Sequence, residues 1–222
     1  MNHIKQIASE LPEYGLDAML ITSEPGEFYA VGFHGEGVAL VTSHESWYFT
    51  DSRYLEAAQS EVELAHVRMP EKGSNYRKMV EELIQTHGLQ TVGFEEDYMT
   101  VSAHTRWADG LSAELKPASA LLETLRASKD EDEIKAMIAA QRIAERALEE
   151  TLAFLKPGKT EKEVAAYLEY SMLRLGAEKK SFDTIVASGP NSSQPHAVPG
   201  AREIQTGDFV TIDFGCKVDG YC

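Results

Sequence analysis

The sequence predicts a layered α/β domain followed by a second domain that opens on two helices and closes on strands. Three observations carry this. Short apolar runs alternate with helical stretches up to about residue 120, the excess of acid drops near that point, and two strongly capped helices follow it. The 222 residues, 43% of them hydrophobic, suit one large or two small domains with a sizeable buried core. Residues 1–122 hold 19 acids against 8 bases, and residues 123–222 hold 17 against 13. The expected domains are therefore 1–122 and 123–222.

In the first domain, Ala18 to Ile21 reads as a buried strand. Phe28 to Phe33, Val38 to Thr42 and Trp47 to Thr50 read as further extended runs between Gly- and Ser-rich turns. A helix is expected from about Ser52 to Ala58, a strand over Val62 to Val67, and a helix over Tyr76 to Thr86 with Met79, Val80, Leu83 and Ile84 inward. Thr91 to Phe94 and Ser102 to Ala108 supply another strand and helix, and Pro117 to Leu122 reads as the connection out. Alternation of this kind favours a layered α/β fold.

The second domain starts where Ser128 or Asp130 caps a helix, with Glu131 or Glu133 completing a capping box. Ile134, Met137, Ile138, Ala144, Leu148, Leu152 and Leu155 recur at helical spacing, and Met137 and Met172 read as core. Thr160 and Glu163 box a second helix with Val164, Leu168, Met172 and Leu175 inward. Two strand candidates, Phe182 to Ala187 and Phe209 to Phe214, flank a loop rich in Gly, Ser, Asn and Pro.

The net charge of −15 argues against nucleic acid or an anionic membrane as the main partner, because the long-range field repels both. No stretch approaches the roughly 20 apolar residues of a membrane span, and Met1 to Lys5 shows no export signal. Two cysteines, Cys216 and Cys222, are too few for a disulfide framework and read as unreactive thiols. A reduced, cytoplasmic protein is the expectation. Nucleotide-binding glycine motifs and a nucleophile elbow are missing from the sequence.

The chemistry concentrates in the last forty residues. Strand alternation places Val210, Ile212 and Phe214 on one face and Thr211, Asp213 and Gly215 on the other. A carboxylate within such a strand is uncommon and, when buried, must be paired or bound to metal. Taken alone, Asp213 reads more simply as a solvent-facing residue of a half-exposed strand. Val218-Asp219-Gly220-Tyr221 reads as a two-residue hairpin of type I′, whose register sets Gly215 opposite position 224, a place for a second carboxylate. Upstream, Ser188 to His196 contains Gly189, Pro190 and Pro195, a rigid path to His196. That histidine suits substrate contact or proton transfer, though a plain surface histidine fits as well.

These segments resemble the Xaa-Pro peptidases (aminopeptidase P and prolidase, metallopeptidases of family M24). The likeness rests on Thr50-Asp51-Ser52-Arg53-Tyr54, on Leu125 to Lys129 with Glu133-Ile134, and on Phe182 to Ser192 with Pro195-His196. Gly207-Asp208, Asp213, Gly215 and Gly220-Tyr221 complete it, so it spans essentially the whole chain. The resemblance implies a creatinase-like α/β N-terminal domain plus the first, incomplete part of an α+β pita-bread domain. It implies Asp213 as the first of five ligands to two divalent ions (manganese, cobalt or zinc), and His196 as the catalytic, substrate-contacting histidine. Phe182 and Ile185 then wall the pocket for the N-terminal residue. It further implies hydrolysis of proline-containing peptides by a metal-bridging hydroxide, in a homodimer. The other four ligands would follow residue 222, so this chain by itself is expected to bind no metal pair and to be inactive, as the N-terminal portion of a peptidase. The alternatives are a non-catalytic peptide-binding module of the same fold or a creatinase-like amidinohydrolase.

Overall fold

The computed structural model describes residues 2–222. They form two compact units, divided between Ser128 and Lys129. In order, the first unit contains α1 (Ile4–Glu10), β1 (Ala18–Ile21), α2 (Glu24–Val31), β2 (Gly37–Thr42), β3 (Ser46–Thr50) and α3 (Leu55–Glu61). Then come β4 (His66–Arg68), α4 (Tyr76–His87), β5 (Thr91–Phe94), α5 (Val101–Ala108), β6 (Glu114–Pro117) and α6 (Ser119–Ala127).

The strands make one six-stranded sheet in the order β4-β3-β2-β1-β5-β6. β1, β2 and β3 run antiparallel to their neighbours among themselves, whereas β4, β5 and β6 join in parallel. Side-chain alternation gives each face its own core. Met19, Ile21, Ala39, Val41 and Tyr48 meet Ile4, Ile7, Tyr29, Leu121 and Leu122 on one side. Ala18, Leu20, Val38, Leu40, Trp47 and Phe49 meet Met79, Val80, Leu83 and Ile84 on the other. Helices thus cover both faces, which is why β1 and β3 read as unbroken apolar runs.

Phe28–Phe33 differs from expectation, because most of it lies in α2. Ser23 caps that helix by accepting the Gly26 N–H at 3.0 Å, Pro25 sits in its first turn, and Gly32 closes it at φ 69°. A short apolar run has no periodicity of its own with which to distinguish a buried helix from a strand. The boundary also moves. Residue 122 falls inside α6, whose Leu121 and Leu122 are buried in the first unit.

The second unit contains α7 (Glu131–Phe154), α8 (Glu161–Arg174), β7 (Lys179–Lys180), β8 (Ile185–Ser188), β9 (Val210–Asp213) and β10 (Cys216–Lys217). Both expected capping boxes form: of the alternatives for α7 it is Asp130 with Glu133, not Ser128 with Glu131, and Thr160 boxes α8 with Glu163. α8 buries Val164, Leu168 and Met172 as its spacing demands. α7 buries a different face from the one its larger side chains suggested. Ala136, Ala140, Ala144, Ala147 and Thr151 are inward, while Ile134, Met137, Ile138 and Leu152 are exposed. Small side chains allow α7 to lie close against α8, since the separation of packed helices follows the residues between them. Met172 is core at 1% exposure, and Met137 is not.

Candidate active site

β8 and β9 pair antiparallel, with Ile185 opposite Asp213 and Ala187 opposite Thr211. Opposite residues in a ladder project from the same face. On the other face, Val186, Val210 and Ile212 pack with Val164, Ala165 and Ile204. One side of this ladder is therefore anchored to α8, and the other presents Asp213 beside Ile185. Asp213 is exposed and Ile185 buried.

The segment carrying His196 reaches that same side. Ala197, its neighbour, packs with Ile185 and Ala187 in a small apolar cluster, while His196 is exposed. A 3-10 turn over Gly189–Ser193 starts this segment. At Gly189 (φ 50°) a side chain would meet Asp208 Oδ1 at 2.6 Å and Arg202 Nη2 at 2.5 Å, so the turn requires glycine.

Phe182 sits elsewhere. Between the bonded residues Ser181 and Gly215 and the pair Ile185 and Asp213, one strand advances four residues and its partner two. Phe182 and Asp183 lie in this bulge, a device that redirects side chains. Phe182 lines a groove of about 490 Å³ with Ile134, Met137, Ile138 and Phe214. Its ring edge lies 3.4 Å from where a Cβ on Gly215 would stand. The structure thus joins Ile185 to Asp213 and brings the His196 segment to their face, with Phe182 turned toward α7.

The hairpin forms as expected. Val218 and Tyr221 exchange N–H···O bonds of 2.8 and 2.9 Å, and Asp219 and Gly220 have φ of 46° and 82°. The Tyr221 hydroxyl donates to Glu133 at 2.8 Å, tying the turn to the start of α7.

The pattern of residues did not single out Glu161 or Arg202. Glu161, in the first turn of α8, has 0% exposure. Its Oε1 accepts from the Ser188 N–H (2.7 Å), the Ser188 hydroxyl (2.9 Å) and Asn191 Nδ2 (3.0 Å). Its Oε2 accepts from the Gly200 N–H at 3.1 Å and from Asn191 at 3.3 Å. Burial pushes this carboxyl upward, but the hydrogen bonds from Ser188, Asn191 and Gly200 together hold it below the ordinary glutamate range. Arg202 donates to the Ser188 hydroxyl at 2.5 Å and doubly to Asp208 at 2.6 and 3.1 Å. The capping box already accounts for Glu163, so nothing in the spacing marks Glu161 as buried.

The Creatinase/Prolidase N-terminal domain pattern matches residues 3–128, more than half of the chain. The chain belongs to the creatinase–prolidase family. Residues 135–222 match metallopeptidase family M24. In sequence, this creatinase–prolidase chain is 37% identical to an uncharacterized peptidase, YqhT, of Bacillus subtilis, over 99% of its length and 62% of the relative's. It is 32% identical to the Xaa-Pro dipeptidase of Pyrococcus horikoshii, over 98% and 61%. An Xaa-Pro dipeptidase structure from Bacillus anthracis superposes with a TM-score of 0.93 at 38% identity, over 99% of this chain and 61% of that one. The chain spans about three fifths of the length of the relatives it matches. In fold it is a creatinase-type N-terminal domain with part of an M24 domain.

For a family of metallopeptidases the fit to metal matters. Asp213 offers one exposed hard-oxygen donor, suited to a divalent ion. Among the described residues, no group of three His, Cys, Asp or Glu ligand atoms close enough to share an ion includes it. These residues fit one ligand position and do not by themselves form the site of a metal pair.

Proposed function

We propose that the protein is a metallopeptidase acting on Xaa-Pro peptides, with Asp213 as a ligand to a pair of divalent ions. His196 contacts the substrate near the scissile bond, and Ile185 forms an apolar wall for the residue ahead of proline, while Phe182, which lines the groove along α7, is not part of that wall. The observation that carries this reading is the cross-strand pairing of Asp213 with Ile185, on the face where Ala197 holds the His196 segment. A carboxylate there stands opposite an apolar side chain, on the face that the His196 segment reaches through Ala197, so peptide and cation can share one face. Ile185, fixed by β8, gives that surface a rigid shape. His196, an exposed imidazole with two ring nitrogens, suits orientation of the peptide carbonyl or amide. Divalent ions in such a site supply Lewis-acid activation of water and of the carbonyl. The likeness to the Xaa-Pro dipeptidases of Pyrococcus horikoshii and Bacillus anthracis supports this substrate class.

The test is hydrolysis of Xaa-Pro dipeptides and of longer Xaa-Pro peptides by the complete gene product, with and without a chelator. Cleavage before proline that chelation abolishes is expected. Cleavage that persists after the metal is removed, or no cleavage of either peptide class, contradicts the reading. For the 222-residue chain, isothermal titration with Mn²⁺ is expected to show no tight two-site binding, and tight binding of two ions would contradict the assignment of a single ligand to it.

A further inference from the structure

We propose that Glu161 is a positioning residue for His196, acting as a buried strut that clamps both ends of the His196 loop to the start of α8. The proposal deepens the reading of His196 as a substrate contact and rests on it. A glutamate in the first turn of a helix ordinarily faces water, where it complements the helix dipole. Glu161 is instead fully buried, and its carboxylate accepts from Ser188, Asn191 and Gly200, all in the loop that carries His196 or at its flanks. A carboxylate removed from water is tolerated only when its lone pairs are occupied, and here both oxygens are.

The donors come from the two ends of one segment. Ser188 and Asn191 lie before His196, and Gly200 lies after it. The main chain of α8 makes the reciprocal bonds, with the Glu161 and Lys162 N–H groups donating to the Arg202 and Gly200 carbonyls at 3.1 Å each. These are N–H groups that a helix start leaves without internal partners. Arg202 extends the clamp, because the Ser188 hydroxyl donates to Glu161 while accepting from a guanidinium held by Asp208. Residues 192–199 are thus spanned between fixed ends. Within them the Ala197 N–H donates to the Gln194 carbonyl at 3.2 Å, and Ala197 is buried against Ile185 and Ala187. His196 is exposed but its backbone has little freedom, which is what a group that must meet a substrate at a set place requires.

Two readouts test this. By hydrogen exchange on the 222-residue chain, Glu161→Gln is expected to raise exchange at Ser188 and Gly200 at least tenfold while the interior of α7 stays protected. Asn191→Ala, which removes one donor and leaves the carboxylate, is expected to give a smaller rise in the same segment. In the complete gene product, Glu161→Gln is expected to lower kcat for an Xaa-Pro dipeptide about tenfold, and to have no further effect in a His196→Ala background. Wild-type exchange in both variants overturns the strut. So does an equal loss of kcat from Glu161→Gln with and without His196, since the glutamate would then act by another route. If His196→Ala alone leaves turnover unchanged, the role assigned to His196 fails, and the positioning proposal with it, whereas the exchange result still decides whether the clamp exists.

Discussion

The two units treat their apolar residues differently. The first closes its sheet between helices, so that Leu20, Leu40, Tyr48 and Phe49 each have 0% exposure. The second buries the alanine side of α7 and leaves Ile138 and Leu152 at 54% and 56% exposure. Apolar periodicity tells which residues share a helix face. Whether that face is covered depends on a second layer being there to meet it.

Core truncation should separate the units most sharply. Phe49→Ala is expected to cost the first unit about 3–5 kcal/mol, because it removes a fully buried ring from the packing between sheet and α4. Ile138→Ala in the second unit should stay within about 0.5 kcal/mol. Urea unfolding, followed by unit-specific probes, compares them. Equal losses would show that Ile138 is covered in solution.

Next in size is a pH effect confined to the first unit. Glu27 is 5% exposed, and the Tyr48 hydroxyl donates to it at 3.3 Å. Burial pushes its carboxyl up to about 8 from an ordinary 4.5, against the opposing hydrogen bonds from Tyr48 and Gly37, with Glu95 and Glu24 adding repulsion. Between those values the folded state keeps a proton that the unfolded chain releases. Stability should therefore fall as pH rises from about 4.5 to 8, by at most about 1.4 kcal/mol per pH unit. Glu27→Gln should flatten that slope in a thermal melt. A slope unchanged in the variant would place its origin elsewhere.

Glu161 has the opposite sign. Its carboxyl is held low, so its contribution is fully present above the ordinary glutamate value and is lost as pH falls through its lowered one. Loosening of residues 188–200 should therefore appear only under acid, as increased proteolysis of that segment. Loosening as pH rises toward 8 would contradict this.

The smallest effect expected is that of a cap. Thr160→Ala removes the side-chain acceptor for the Glu163 N–H at 3.1 Å and should cost about 1 kcal/mol. An effect several times larger would show that Thr160 also secures the bridge it makes to Glu203.

What was legible in the sequence follows the range of the interactions involved. Asp130 with Glu133, Thr160 with Glu163, and the Asp219-Gly220 turn are settled within four residues, and all appear as expected. The alternation that puts Thr211 and Asp213 outward is equally local. Phe28–Phe33 reads as extended yet lies mostly in a helix, because the signals that make it helical, Ser23, Pro25 and Gly32, lie before it or at its end. The α7 stripe misled because burial is decided by its partner α8. The pairing of Ile185 with Asp213 and the burial of Glu161 depend on contacts 28 and up to 39 positions apart, and no spacing rule encodes them.

The proposed function stands or falls with Asp213 as a metal ligand. It is tested most directly by Mn²⁺ titration of the complete gene product beside its Asp213→Asn variant, with Xaa-Pro hydrolysis measured on the same samples. Two bound ions are expected in the parent protein, with loss of at least one in the variant and a fall in turnover of about two orders of magnitude or more. Two ions held with parental affinity by the variant, at full turnover, would contradict it.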